Sequence, residues 1–241
     1  MINPIKWLWN WIKRMFMVNH LSGFGGKPQL APVVAGVDGI AGGTSITVPI
    51  PTGLQANDII LVFFETNAGT TVSTPSGFTL IVEVDDLTSA LTQINCYWKR
   101  ATGSETSFTQ TATDHQCALV MLIRGCVVTG TPYEAMTNSK TGSTTTPVIP
   151  TSTTVGADRR IIQGIARGTD TASDQFSSPV NSALESVALA EEYGTATGSG
   201  GGIAAMSGVK RAAGSSGTTA VSYSGSATNF ATVSFAMIPA A

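Results

Sequence analysis

Gln93-Ile94-Asn95-Cys96-Tyr97-Trp98-Lys99-Arg100 decides the fold class. Ile94, Cys96 and Trp98 alternate with Asn95, Tyr97 and Lys99, the period of two that gives a β-strand two different faces. Further along, Leu119-Val120-Met121-Leu122-Ile123 is apolar at every position. A short run of that kind reads as a central strand covered on both faces. Outward from these segments, short apolar runs recur between clusters of Gly, Ser, Thr and Pro. The pattern predicts strands at Ser45–Ile50, Asp58–Glu65, Thr79–Val84, Gln93–Arg100, Ser107–Thr111 and Gln116–Gly125. A second set is predicted at Pro147–Pro150, Arg159–Arg167, Leu184–Tyr193, Gly202–Arg211, Thr218–Tyr223 and Asn229–Pro239. No long helical pattern follows residue 27.

The two sets resemble each other. Ile50-Pro51-Thr52 leads to Asn57-Asp58-Ile59-Ile60, and Ile149-Pro150-Thr151 leads to Ala157-Asp158, then Ile161-Ile162. Lys99-Arg100-Ala101-Thr102-Gly103-Ser104 matches Lys210-Arg211-Ala212-Ala213-Gly214-Ser215. In each set this turn precedes a short Ser/Thr strand and then a long apolar one. Matched order argues for an internal duplication. About six strands per half, with frequent turns, is the pattern of a β-sandwich or jelly roll. The expected architecture is all-β: a jelly-roll-like β-sandwich, residues 28–241, with pseudo-repeated halves at about 44–130 and 141–241. Gly36–Gly43 and Thr141–Thr146 read as linkers. Thr195–Gly202 reads as a mobile turn and lacks the Lys and helix of a phosphate loop.

Composition agrees with strands joined by small-residue turns. The chain has 241 residues, 42% hydrophobic and only 12% charged, with 26 Gly. Ordinary soluble domains carry ~25% charge. The formal net charge of −2 excludes a nucleic-acid binder built on a basic surface. That small value hides an asymmetry. Residues 1–27 carry Lys6, Lys13, Arg14 and Lys27 and no acid, a charge of +4, and residues 28–241 carry −6. Cys96, Cys117 and Cys126 form neither a disulfide framework nor a metal pair, and read as small buried hydrophobes.

Asn3-Pro4 is a helix start: Asn caps, and Pro occupies the first turn, where its missing N–H costs nothing. Ile5, Leu8, Trp9, Ile12 and Phe16 follow helical spacing on one face, and Trp7, Trp11, Met15 and Val18 cover the next. The polar remainder is a stripe of Lys6, Asn10 and Lys13 with Arg14 beside it. Asn19-His20 and the glycines at 23, 25 and 26 end the helix and give a joint. This N-terminal amphipathic Trp-rich α-helix, in segment 1–27, is apolar around most of its circumference, well beyond the ~100° stripe of a surface helix. Each aromatic can bury about 150–250 Å². Three tryptophans therefore offer about 10 kcal/mol, gross, at ~25 cal/mol/Å². Lys13-Arg14 interrupt the apolar run, which argues against a secretory signal, and the run is too short to span a bilayer. A peg docked into another protein, through Ile5, Trp7, Leu8, Trp9, Trp11, Ile12 and Phe16, fits best. A helix lying on a membrane surface and one packed on its own domain are the alternatives.

Pro75-Ser76-Gly77-Phe78-Thr79, then Tyr97–Ala101 with Gly103-Ser104-Glu105, then Ala118–Gly125, and the last strand Ala231–Pro239, resemble a jelly-roll module of phage and prophage virion proteins. Those proteins are minor tail, fibre or decoration proteins. The resemblance covers about residues 44–241. It implies a non-enzymatic virion component that contacts capsid, neck or tail subunits, a homo-oligomer such as a trimer, and in some members glycan binding for host attachment. It supplies no catalytic residues, and segment 1–18 departs from its pattern.

Chemistry-bearing residues are few. His20 lies in the joint. His115 reads as a solvated loop residue beside Asp114, with no nucleophile placed for a triad. Asp85-Asp86 and Glu191-Glu192 read as solvated turns or edges, since neighbours on a strand point to opposite faces. Asp170 and Asp174 offer oxygen ligands for Ca²⁺, without the spacing of a known loop. No catalytic residue, metal site or cofactor is expected. Tyr133, Tyr193 and Tyr223 are the candidates for a glycan site, although each reads first as a core or edge aromatic.

Overall fold

Two large antiparallel sheets organise the computed structural model, which describes residues 29–85 and 92–241. The helix predicted within 1–18 and the acid Asp86 lie outside these residues. In chain order the strands are β1 (Val33–Gly42), β2 (Ser45–Pro49), β3 (Ile59–Thr66), β4 (Thr79–Asp85), β5 (Gln93–Arg100), β6 (Ser107–Thr111) and β7 (Gln116–Arg124). They continue as β8 (Tyr133–Thr144), β9 (Val148–Ile149), β10 (Thr153–Thr154), β11 (Arg159–Arg167) and β12 (Phe176–Val180). The last five are β13 (Glu185–Thr195), β14 (Gly201–Lys210), β15 (Gly214–Ser215), β16 (Thr219–Tyr223) and β17 (Thr228–Met237).

One large sheet has the order β1-β7-β3-β5-β4, and the other, read from β8, has the order β8-β17-β11-β14-β13. Reading across either sheet meets the first, fifth, second, fourth and third of its strands in chain order. Small sheets flank them: β2-β6 in the first half, and β9-β16-β12 with the pair β10-β15 in the second.

The packing explains the apolar runs. Leu61 and Phe63 of β3 and Leu119 and Met121 of β7 share a buried cluster with Ile162, Ile203, Val233 and Phe235 of the second large sheet. On the reverse face of the first sheet, Ile60, Val62 and Phe64 pack with Ile46 and Val48 of β2. On the reverse face of the second, Ile165, Met206 and Phe230 pack with Ile149, Phe176 and Val221. The layers therefore run small sheet, large sheet, large sheet, small sheet. The central strands have no wet face, so they are apolar or small at nearly every position. At the middle of the large-sheet interface the rings of Phe63 and Phe235 stack with centroids 6.2 Å apart. Gly164 on β11 receives Phe63: a Cβ there would lie 2.7 Å from its Cδ1.

The predicted strands Gln93–Arg100, Ser107–Thr111 and Arg159–Arg167 are observed with the same limits, and the other predicted strands shift at their ends by one or two residues. As read, Ile94 and Cys96 face the inter-sheet core with Trp98 packed against it, and Tyr97 faces the other way. All three cysteines are buried and free.

Both predicted linkers are strands. Gly36–Gly42 belongs to β1, paired along β7, and Thr141–Thr144 ends β8, paired along β17. They are edge strands of the large sheets, so neither needs a continuous apolar face. In β1 the glycines mark close approach rather than flexibility: a Cβ on Gly39 would meet the carbonyl oxygen of Ala118 at 2.4 Å and the Tyr193 ring at 2.5 Å. β8 alternates exposed Asn138 and Lys140 with half-buried Thr137 and Ser139, the polar dress of an edge. The short β10, β12 and β15 had no expected counterpart.

Candidate functional site

One end of the layered body holds its two most deeply buried ion pairs. β3 leaves its apolar run at Glu65, whose position in the alternation turns it toward the second large sheet. Glu65 stands opposite Cys117 on β7, which places His115, two residues earlier on the same face, beside its carboxylate. His115 Nε2 lies 3.2 Å from Glu65 Oε2, and neither side chain has solvent exposure. Thr92 donates its hydroxyl to Glu65 Oε1 at 3.1 Å. Thr66 donates to the His115 carbonyl at 2.6 Å. His115 Nδ1 is 3.4 Å from Asp114 Oδ1, an ion-pair distance rather than a hydrogen bond. Asp114 is joined in turn to the second half, where Ser199 donates its hydroxyl to Oδ2 at 2.9 Å.

The charges shift accordingly. Burial raises the Glu65 carboxyl above its ordinary range, although His115 and Thr92 pull it down. Burial alone lowers the His115 imidazole, but the hydrogen bond and charge of Glu65, with the charge of Asp114, outweigh it and hold it above its ordinary value. Burial also acts to raise Asp114, and the amides and hydroxyl it accepts from His115 and Ser199 leave it lowered. Burial pushes the Cys117 and Cys96 thiols well up, and the Cys126 thiol up to about 12. Thiols so raised stay protonated and are poor nucleophiles.

A second buried pair closes the same end of the other sheet. Arg167 at the end of β11 is fully buried. Its Nε donates to Glu192 Oε1 at 3.2 Å. Its terminal nitrogens donate to the carbonyls of Thr169 at 2.7 Å and Ser173 at 3.0 Å. Glu192 accepts the Phe176 amide at 2.8 Å and the Gln175 amide at 3.0 Å. The pair thereby fastens the 168–175 loop across the sheet end.

Three sequence readings are corrected by this geometry. His115 is a buried ion-pair partner rather than a solvated loop residue. Glu192 is a buried partner of Arg167, while its neighbour Glu191 is exposed, as alternation requires. The glycines of the turn read as mobile are packed over charge. A Cβ on Gly201 would lie 2.2 Å from Glu65 Oε1, and one on Gly202 would lie 2.5 Å from the Arg167 guanidinium carbon. Gly198 and Gly200 also hold positive φ angles, 66° and 62°. Glu65 was legible as a signal: it is a carboxylate on the apolar face of an otherwise apolar strand. Its partner fifty residues away was not.

The candidate glycan tyrosines sit on three different strands. Tyr133 packs edge-on against Phe235, centroids 5.7 Å apart. Tyr193 is half-buried over Gly39. Tyr223 is buried against Phe176 and Phe230, and also bonds to Thr169. It borders an open groove of about 370 Å³ on the β9-β16-β12 sheet, lined by Thr145, Val148, Ser178, Val180 and Ser222 among others. Asp174 is exposed and Asp170 packs against Gly200. Among the described residues, no group of three or more His, Cys, Asp or Glu side chains is placed to hold a metal. Partner-binding residues Ile5 to Phe16 lie outside the described residues.

No family model, curated protein or solved structure matches this chain.

The buried pair gives a pH dependence with a definite sign. His115 has a raised folded value, so its contribution to stability is complete below the unfolded value near 6.5 and is lost as pH rises through the folded value. Raised Glu65 acts in the same direction at lower pH. The melting temperature of the full chain is expected to fall from about pH 6.5 into the alkaline range, and His115→Gln is expected to flatten that fall. Parallel curves for the two proteins would refute it.

Proposed function

We propose that the chain is a non-enzymatic virion structural protein of a bacteriophage or prophage. In this reading it is a head decoration, neck-fibre or minor tail subunit, with a jelly-roll-like body of two pseudo-repeated halves tethered through the N-terminal helix. One observation carries the reading. The body buries its three cysteines and two ion pairs and uses the pairs to close one end, while the sequence of Ile5–Val18 is apolar almost all round and needs cover on several sides. The identical strand order of the two large sheets supports the duplicated body. The resemblance segments support a scaffold role. Pro75–Thr79 makes the turn into β4, with the Phe78 amide donating to Pro75 at 3.0 Å. Glu105 accepts the Thr102 and Gly103 amides and pairs with Lys99 at 3.0 Å, capping the turn after β5.

The mechanism is desolvation of the helix in a socket formed by capsid, neck or tail subunits, with the glycine joint accommodating a mismatch in symmetry. Homo-oligomerisation of the body, as a trimer for example, belongs to the same reading. In cells producing the particles, a variant lacking residues 1–18 is expected to remain soluble and folded and to be absent from purified particles. Normal incorporation of the truncated chain would overturn the mechanism. Flotation of a 1–22 peptide with liposomes would move the helix from a protein socket to lipid.

The groove beside Tyr223 favours a second reading, a glycan-binding adhesin. Its lining is hydroxyl-rich and uncharged, which suits a neutral sugar. Glycan-array binding by the full chain, lost in Tyr223→Ala, would establish it, and an array without signal would remove it.

A further inference from the structure

The end of the body opposite the buried ion pairs gathers two kinds of residue that are scarce elsewhere. Chain direction and register define that end. β3 and β11 begin there, Cys126 bridges Pro239 there, and the Gln29 amide donates to the Ala240 carbonyl at 3.1 Å. Residues 29–33 enter the body at this point, so the segment 1–27 is attached to it.

The first kind is apolar and exposed. Leu30, Val33, Val128 and Val155 are 75, 49, 56 and 82% exposed, and all belong to this end. Val33 opens β1 opposite Arg124, Val128 is in the loop after β7, and Val155 precedes β11. Of the remaining exposed large apolar residues, Leu80 and Met136 lie in the same half of the strand length, whereas Val148 and Val180 border the lateral groove.

The second kind is cationic. Lys99-Arg100, Arg124, Arg159-Arg160 and Lys210-Arg211 all lie at the ends of strands that meet here. The acids among them are Asp58, Glu105, Glu134, Asp158 and Glu185, leaving this end at +2. The rest of the described body carries only Lys140 and Arg167 against nine acids. The described body is therefore an electrical dipole along its strands.

We infer that this end is an interaction surface for a protein partner of net negative charge, contacted by exposed valines and a leucine that share the end with an excess of basic residues. The inference rests on the virion reading and adds the face and the charge of the partner. Several exposed apolar side chains gathered with charged ones at one end suit a protein contact. An acidic protein fits better than an anionic bilayer. Most of the arginines here are already held by carboxylates, Arg124 by Asp58 at 2.7 Å and Arg159 by Glu134 at 2.9 Å. Such a mixed, directional pattern matches another patterned surface, and its five carboxylates would be repelled by a uniform layer of headgroups.

The test uses the full chain with Val128→Asp and Lys210→Glu combined, the first at an exposed loop position and the second at a half-buried strand end, and Val180→Asp as a control on the lateral groove. The double variant is expected to be at least tenfold depleted in purified particles, with unchanged circular dichroism and melting, while the control incorporates like wild type. Trp7, Trp9 and Trp11 all changed to Ser supplies the separate test of the peg. If that triple variant is lost from particles and the double variant is retained, the surface inference is wrong and the virion reading stands. If wild-type chain is absent from particles, both fall. Binding of wild type, but not of the double variant, to phosphatidylglycerol vesicles would assign the face to a membrane and overturn the protein partner.

Discussion

Replacing Arg167 with Ala is expected to lower the stability of the body by about 3–5 kcal/mol. The guanidinium is fully buried and satisfies Glu192 together with carbonyls of the 168–175 loop. Its removal leaves a buried carboxylate and loop carbonyls without the cation that held them together. Arg167→Lys is expected to recover only part of the loss, because an ammonium cannot reproduce the fork that reaches Glu192, Thr169 and Ser173 at once. Chemical denaturation followed by tryptophan fluorescence and circular dichroism measures both. A loss under 1 kcal/mol in Arg167→Ala would mean that the loop closes without the pair.

Phe63→Ala is expected to cost about 3–5 kcal/mol and to shift a single unfolding transition as a whole. Phe63 lies between the two large sheets, stacked on Phe235 and seated over Gly164. Truncation opens a cavity shared by both halves, so their unfolding is expected to move together. Two separated transitions, with only one displaced, would show that the halves fold independently. The reciprocal change, Gly164→Leu, would force the same space from the other side and is expected to be destabilising as well.

How much of this was readable in the chain depended on what each segment faces. Strands covered on both sides were legible because burial leaves an unbroken apolar run, as in Leu119–Ile123. Gln93–Arg100 was legible because its two faces differ. β1 and β8 were not, because an edge strand takes glycine where a neighbour approaches and polar residues where water does. Glycine in β1 looked like a joint when its cause was the nearness of Ala118 and Tyr193. The ion pairs were illegible for another reason. Glu65 with His115, and Arg167 with Glu192, become neighbours only through strand pairing and loop return, and nothing local in the sequence records either.

The way residues 29–33 run into β1 has a mechanical consequence. β1 is held to β7 by an antiparallel ladder from Val33 to Gly42, interrupted once by a bulge. A pull on residues 29–33 along the strand axis would load those hydrogen bonds in shear, all together, instead of peeling them one by one. A body dragged by fluid or snagged on a surface while fixed at that corner would resist rupture far better than one hung from a strand that unzips.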